Sequence, residues 1–383
     1  MIFKVLQVIP RLGYGGAETG CYDLAHYLAE QGHKSYLITS GGELLKFVRK
    51  DKVKVFRLPV ASKNPIVIFF NAIMISLIVL IFNINIIHAR SRAPGWSCFF
   101  SCIFTRRKFV TTFHGTYNFS NLIKKYYNSV MVRSKLVIAG SNFIFKHISE
   151  NYQNYLNEKN KLMVIFRGIN LEYFDNRNIS DKKKESLALN WNLDKEKFTI
   201  LLPGRLTRWK GQLEFIEALN ILLEDHNKTD FQAIILGSDQ NRNVYSKKLS
   251  SLIERYNLNK NVKFISATRD MPIAYSLSNV VISSSIEPEA FGRVAVEAQA
   301  MEKPIIASDI GGSRETILNE KSGFLYKSSD PRELAKVLNK VMELDKEALY
   351  LIGKEGRKNV TKKFNVDKMC QTTLTEYQKL LKN

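Results

Sequence analysis

Short apolar runs alternate with helical patterns from one end of the chain to the other. The runs FKVLQVIP, KSYLIT, VKVFRL, KFVTTFHG and KLVIAGS read as strands, with a glycine loop RLGYGGAE and a helix to about Ala29 after the first. The pattern weakens after LMVIFRGIN into the polar stretch NRNISDKKKESLALNWNLDKEK. A second series then opens with FTILLPG and continues through FQAIILG, VKFIS, NVVISSS and PIIAS, and from Asp330 onward the sequence is helical. Such alternation predicts parallel α/β layers. The expected architecture is two doubly wound Rossmann-like domains facing across a cleft, residues 1–175 and 198–365, joined by a linker at 176–197. In sheets of this kind ligands bind at the carboxyl ends of the strands.

One apolar stretch breaks the rhythm. IVIFFNAIMISLIVLIFNINII, Ile66 to Ile87, holds 18 apolar residues out of 22, which makes it a membrane-span candidate by hydropathy. A full span would place the Gly15–Gly16 loop and the TFHG strand on opposite sides of a bilayer, splitting the parallel sheet to which both belong. The stretch is therefore read as a crossover helix of about 18 residues that feeds the strand INIIHAR and is either buried or lies in a membrane interface.

At 383 residues, with 45% hydrophobic and 24% charged residues, the chain is globular and long enough for two cores. Cys21, Cys98, Cys102 and Cys370 form no CxxC pair, so free thiols in a reducing compartment are expected rather than a disulfide framework. The opening MIFKVLQVIPRLGYGG lacks the pattern of a signal peptide, since Lys4 and Gln7 interrupt its apolar run, and the expected location is the cytoplasm. The net charge is +21, and residues 1–180 carry 24 basic against nine acidic residues, leaving +15 on that half. A basic face of this size suits nucleic acid or the anionic cytoplasmic leaflet.

The candidate chemistry sits at strand ends. The loop GYGGAE follows a strand and opens a helix, so its backbone N–H groups can hold a phosphate or an incoming hydroxyl. It is a poor dinucleotide fingerprint, because GxGxxG is absent and KSYLIT ends at Ser40 without the acidic residue a ribose needs. In LLPGRLTRWKGQ a strand runs into Arg205, Arg208 and Lys210 just before a helix, a natural diphosphate clamp. His114, in TTFHGTY, ends a strand and can bond a substrate hydroxyl. No GxSxG, DxD or HExxH is present, and no metal site is expected.

The stretch SSSIEPEAFGRVAVEAQAMEKPIIASDIGG carries Glu289 and Glu297, separated by seven residues. A carboxylate pair working on one proton needs its groups within roughly 5–10 Å, whereas eight helical residues span about 12 Å. Gly292 suggests a backbone break, placing Glu289 in a loop and Glu297 in the helix that starts near Phe291. That arrangement suits gripping two separate hydroxyl groups better than shuttling one proton; two solvated charges flanking a helix are the alternative.

Together the motifs GYGGAE, FHG, GRLTRWKG, EPEAFGRVAVEA and ASDIGGSRE, in this order, resemble the retaining glycosyltransferases of family 4, which have the GT-B fold. The resemblance covers most of the chain. It implies a nucleotide-sugar donor, UDP- or GDP-linked, with Arg205 and Lys210 on its diphosphate and no metal or other cofactor. Glu297 would bind the ribose hydroxyls and Glu289 hydroxyls of the transferred sugar, helped by the backbone around Phe291 and Gly292. His114 would lie near the sugar, and Gly15 and Gly16 near the diphosphate and acceptor. The loop Ser266–Asp270 would meet the base through backbone atoms, while Arg167 stands where the family often shows Asn-Gly, with no assigned role. EPEAFG replaces the frequent EGFG, and Glu302 and Lys303 stand where a glycine often precedes the proline.

The resemblance further implies that the final helix, 366–383, crosses back onto the first domain, and that attack occurs on the front face with retention at the anomeric carbon. The basic, apolar first domain points to a lipid-linked or lipopolysaccharide acceptor and a peripheral position on the inner face of the cytoplasmic membrane. Competing readings are a sugar-nucleotide epimerase of the same fold, a membrane-associated scaffold without catalysis, and a basic RNA-binding protein. The last lacks RRM and KH features, and no nucleic-acid partner is expected.

Overall fold

The computed structural model describes residues 2–156, 160–239, 243–266, 268 and 270–382. The chain divides into two compact units, Met1–Gly168 with Val366–Asn383, and Ile169–Asn365.

In the first unit seven strands, β1 (Lys4–Val8), β2 (Lys34–Thr39), β3 (Val53–Arg57), β4 (Ile86–Ala89), β5 (Lys108–Phe113), β6 (Leu136–Ala139) and β7 (Lys161–Val164), form one sheet in the order β3-β2-β1-β4-β5-β6-β7. Every pairing is parallel. Apolar runs without polar alternation suit a sheet covered on both faces, and neighbouring positions of β1 show it. Leu6 packs with Ile75 and Val79 of the helix Pro65–Ile81, while Val5 packs with Leu24 and Leu28 of the helix Gly16–Glu30 and with Leu374 and Tyr377 of the helix Val366–Lys382. The four cysteines are free and buried.

The apolar stretch forms the helix Pro65–Ile81, opened by Asn64, whose side chain accepts from the Ile66 amide at 2.9 Å, and by Pro65 at the first position. Among the described residues no helix is long and apolar enough to cross a membrane. The inner face buries Ile68, Ala72, Ile75 and Val79, and the outer face exposes Ile66, Phe69, Phe70, Ile73, Leu77 and Leu80. Phe104 of the next helix, Arg92–Thr105, is also exposed and stands edge-on to Phe69 at 6.4 Å, so two helices share one apolar surface.

The second unit repeats the plan with six strands, β8 (Phe198–Pro203), β9 (Phe231–Leu236), β10 (Val262–Ile265), β11 (Val280–Ser283), β12 (Ile305–Ser308) and β13 (Phe324–Tyr326), all parallel in the order β10-β9-β8-β11-β12-β13. β13 spans three residues, too few for a periodicity, and the sequence pattern does not announce it. The polar stretch expected as a linker is part of this unit and contains the helix Asp181–Asn190, whose Ala188 is buried. The division falls earlier, at Gly168, because Ile169 bridges Asn365 and Asp175 pairs with Arg357 at 3.1 Å.

Candidate active site

Each sheet reverses its strand order once, between β1 and β4 in the first unit and between β8 and β11 in the second. The crevice at the carboxyl ends of those strands is where such sheets hold ligands, and the candidate residues of each unit collect there.

In the second unit the segment after β8 carries Arg205 and Lys210, and the segment after β11 carries Ser284 through Gly292. Backbone ties lock the two segments together. The Ile286 amide donates to the Trp209 carbonyl at 2.8 Å, and the Ser284 hydroxyl donates to the Lys210 carbonyl at 3.0 Å. Gly211, at φ +72°, permits this approach, since a Cβ there would lie 1.8 Å from the Ser284 carbonyl oxygen.

Lys210 Nζ donates to Glu289 Oε1 at 2.7 Å, with side chains only 13% and 12% exposed, and the Ser285 hydroxyl donates to the same oxygen at 2.6 Å. Burial alone would raise the Glu289 pKa, but the Lys210 charge and bonds from Lys210, Ser285 and Ser283 outweigh it and hold the carboxyl below its usual range. The two residues expected to grip different parts of a ligand are therefore one ion pair. Of the three cations in this loop, Arg208 is committed elsewhere, clasping Glu214 with both terminal nitrogens. Arg205 is exposed. Its backbone carbonyl accepts from Gln212 at 2.9 Å, which holds the turn.

Gly292, at φ +83°, caps the helix Arg293–Ala300, two residues later than the expected start near Phe291. Phe291 is buried edge-on against Phe364 at 5.4 Å, leaving its backbone as the part able to meet a ligand. Glu289 is held from the other side by Gly312, whose amide donates to the Glu289 carbonyl at 2.8 Å. Glu297, one turn into the helix and 6% exposed, accepts from the Tyr275 hydroxyl at 2.8 Å on one oxygen and from Arg293 on the other. Tyr275 and Ser285 carry no motif of their own; only their positions relative to the two glutamates single them out. Of the loop Ser266–Asp270, Ala267 and Arg269 lie outside the described residues.

In the first unit Gly15 and Gly16 open the helix Gly16–Glu30 after β1, and His114 follows β5. His114 Nδ1 lies 3.1 Å from Arg167 Nη1, a pairing invisible in the sequence. Arg90, directly after β4, is 5% exposed and lines the same small cavity as His114 and Arg167. Burial, aided by the charges of Arg90 and Arg167 and by His88, drives the His114 pKa well below the ordinary histidine value and keeps the ring neutral. Among the described residues no cluster of three or more His, Cys, Asp or Glu side chains able to hold a metal occurs.

Two parallel sheets of the 3-2-1-4-5-6 kind, each with its site at the switch point, place the protein in the GT-B fold class. Residues 14–173 match the family described as Glycosyltransferase Family 4, and residues 183–359 that described as Glycosyl transferases group 1. A glycosyltransferase of known structure from Rickettsia africae ESF-5 is 37% identical, with a TM-score of 0.91, over 100% of this chain and 99% of that one. The chain belongs to the glycosyltransferases of group 1 and family 4. Among curated relatives, the spore coat protein SA of Bacillus subtilis (strain 168) is 27% identical over 63% of this chain and 64% of its own length. The UDP-Gal:alpha-D-GlcNAc-diphosphoundecaprenol alpha-1,3-galactosyltransferase of Escherichia coli is 28% identical over 54% and 51%. The chain thus spans between half and two thirds of these two curated relatives.

Proposed function

We propose that the protein is a retaining, metal-independent glycosyltransferase that moves a sugar from a UDP- or GDP-linked donor to a lipid-linked or lipopolysaccharide acceptor, working as a peripheral protein on the cytoplasmic face of the membrane. The observation that carries the reading is the enclosed Lys210–Glu289 pair beside the exposed Arg205 at the switch point of the second sheet. Arg205 and Lys210 stabilise the charge that develops on the departing diphosphate. Glu289, held ionised, accepts hydrogen bonds from hydroxyls of the transferred sugar, while Glu297 does so for the ribose. The backbone at Phe291 and Gly292 completes the donor site, and the Gly15–Gly16 amides face phosphate and acceptor. His114, neutral, lies near the transferred sugar and the reacting centre.

In the reaction the acceptor oxygen bonds to the anomeric carbon, the bond from that carbon to the diphosphate breaks, and the acceptor proton passes to the departing phosphate oxygen. Both carboxylates of the second site are engaged by lysine, serine, tyrosine or arginine donors, which suits holders better than a free general base. The lipid acceptor draws support from the name of the Escherichia coli relative, whose acceptor is a diphosphoundecaprenol. The apolar surface of the helices Pro65–Ile81 and Arg92–Thr105, on a half of the chain carrying +15, supports membrane docking.

The test is thermal stability with UDP-, GDP- and ADP-sugars in the presence of EDTA. A donor present at 100 times its dissociation constant stabilises the folded protein by about 2.7 kcal/mol. A shift with one nucleotide family, lost in Arg205→Ala, is the expected result; no shift with any nucleotide sinks the donor assignment. Binding that vanishes with EDTA sinks metal independence.

A further inference from the structure

We propose that Arg90, Arg167 and His114 form an oxoanion site in the first unit that receives one oxygen of a phosphate or carboxylate group carried by the acceptor. The inference rests on the glycosyltransferase reading for the word acceptor; the anion site itself rests on geometry within the first unit.

The cavity at the carboxyl ends of β4 and β5 holds about 20 Å³ and is lined by Arg90, His114, Arg167 and Gly140 from the sheet side and by Met369 and Thr373 from the final helix. That is room for about one water-sized oxygen. Two polar atoms of these lining residues lack a partner, and both are donors. Arg90 is 5% exposed, and its Nε has no hydrogen-bond partner among the described residues. A guanidinium has no acceptor atom, so where Arg167 Nη1 meets His114 Nδ1 at 3.1 Å the arginine donates. The neutral imidazole then carries its proton on Nε2, which is enclosed and also without a partner. The neighbouring His88 is satisfied on both nitrogens, by the Tyr377 hydroxyl at 2.5 Å and Thr112 at 2.7 Å, and takes no part.

Three glycines make room for the two guanidinium groups. A Cβ on Gly16 would stand 3.1 Å from Arg167 Nη2, one on Gly20 would stand 3.2 Å from Arg90 Nη2, and one on Gly140 would stand 3.2 Å from Arg167 Cγ. The first turns of the helix Gly16–Glu30 therefore lie against two cations. Arg90 Nε and the Nε2–H of His114, buried with nothing to receive them, carry an unfavourable desolvation cost unless an acceptor-only ligand arrives. An anionic oxygen meets that demand, whereas a sugar hydroxyl brings a proton of its own that none of these groups accepts. The second unit has its own cations for a donor diphosphate, Arg205 and Lys210, which leaves this site to the other substrate.

The experiment is calorimetric titration of the full chain with inorganic phosphate, with galacturonate and with UDP, in the native protein and in Arg90→Met, Arg167→Met and Arg205→Ala. Phosphate or galacturonate should bind the native protein, weaken about tenfold or more in Arg90→Met and Arg167→Met, and persist in Arg205→Ala, which should instead lose UDP. Loss of anion binding in Arg205→Ala alone, or binding of neither anion to the native protein, overturns the proposal. An anion that binds and depends on Arg90 while UDP does not bind upholds the site and refutes the donor reading instead. Should Arg90→Met fail to fold, the ¹⁵N spectrum of histidine-labelled native protein decides. An Nε2–H tautomer at His114 that shifts on adding phosphate is expected, and an Nδ1–H tautomer refutes the arrangement.

Discussion

Replacing Glu289 by Gln tests whether the second site is built on a desolvated ion pair. In the native protein Lys210 and Glu289 are 13% and 12% exposed at a separation of 2.7 Å, so solvent screens their attraction far less than it would on the surface. Removing one partner of such a pair costs about 3–5 kcal/mol, because the other charge stays buried without its counter-ion. The lower end applies here, since Lys210 Nζ keeps a contact over the Trp209 ring at 4.4 Å. Urea unfolding followed through tryptophan fluorescence, which Trp209 reports from beside the pair, should show a loss of about 3 kcal/mol in Glu289→Gln. Lys210→Met should show a similar loss, and the double variant should lose clearly less than the sum. The pH dependence has a definite sign. Because the folded carboxyl titrates below its usual value of 4.5, its stabilising contribution is complete above that pH and disappears as the pH falls through the lower folded value. Glu289→Gln should therefore flatten the acid limb of the stability curve. A loss below about 1 kcal/mol with additive single variants would mean that the pair behaves as a surface contact, and the reasoning about an enclosed site would fail.

Three other outcomes follow from the geometry. Gly211→Ala forces a side chain into a left-handed backbone 1.8 Å from the Ser284 oxygen and should cost at least about 2 kcal/mol in the same unfolding assay. Phe69 and Leu80 are 54% and 58% exposed; burying those halves in a bilayer interface is worth about 1 kcal/mol each, so Phe69→Ser with Leu80→Ser should lower sedimentation with anionic vesicles about thirtyfold without unfolding the protein. With His114 neutral well below pH 6.5, the pH profile of kcat/KM for sugar transfer should show no limb near that value, and a limb that disappears in His114→Asn would contradict the neutral ring.

The strands were legible because a covered parallel sheet leaves unbroken apolar runs, and β2 occupies the six residues of KSYLIT that the pattern marks. β13 escaped because three residues make no run. The glycine loops and the spacing of the glutamates marked strand ends, and the strand orders put those ends at the switch points of both sheets. What the sequence withheld was partnership. Arg208 and Lys210 are two residues apart and equally basic, yet one is tied to Glu214 and the other to Glu289, a distinction that depends on which way the turn before Gly211 points each side chain. Arg90 closes the strand INIIHAR with no motif to mark it. Its enclosure depends on Gly20 of the helix Gly16–Glu30, which leaves space for it.

The helix Val366–Lys382 belongs to the first unit, yet it follows the whole second unit along the chain. Val366–Lys382 supplies Leu374 and Tyr377 to one layer of the first sheet, and Tyr377 bonds His88 on β4. During synthesis the seven strands emerge first, and the whole second unit is then made before the missing layer arrives. Until that helix is made the first sheet waits with part of one apolar face uncovered, a state in which non-native association competes with folding. A chain cut short before the turns that carry Leu374 and Tyr377 should thus reveal itself less as a weakened enzyme than as an insoluble one.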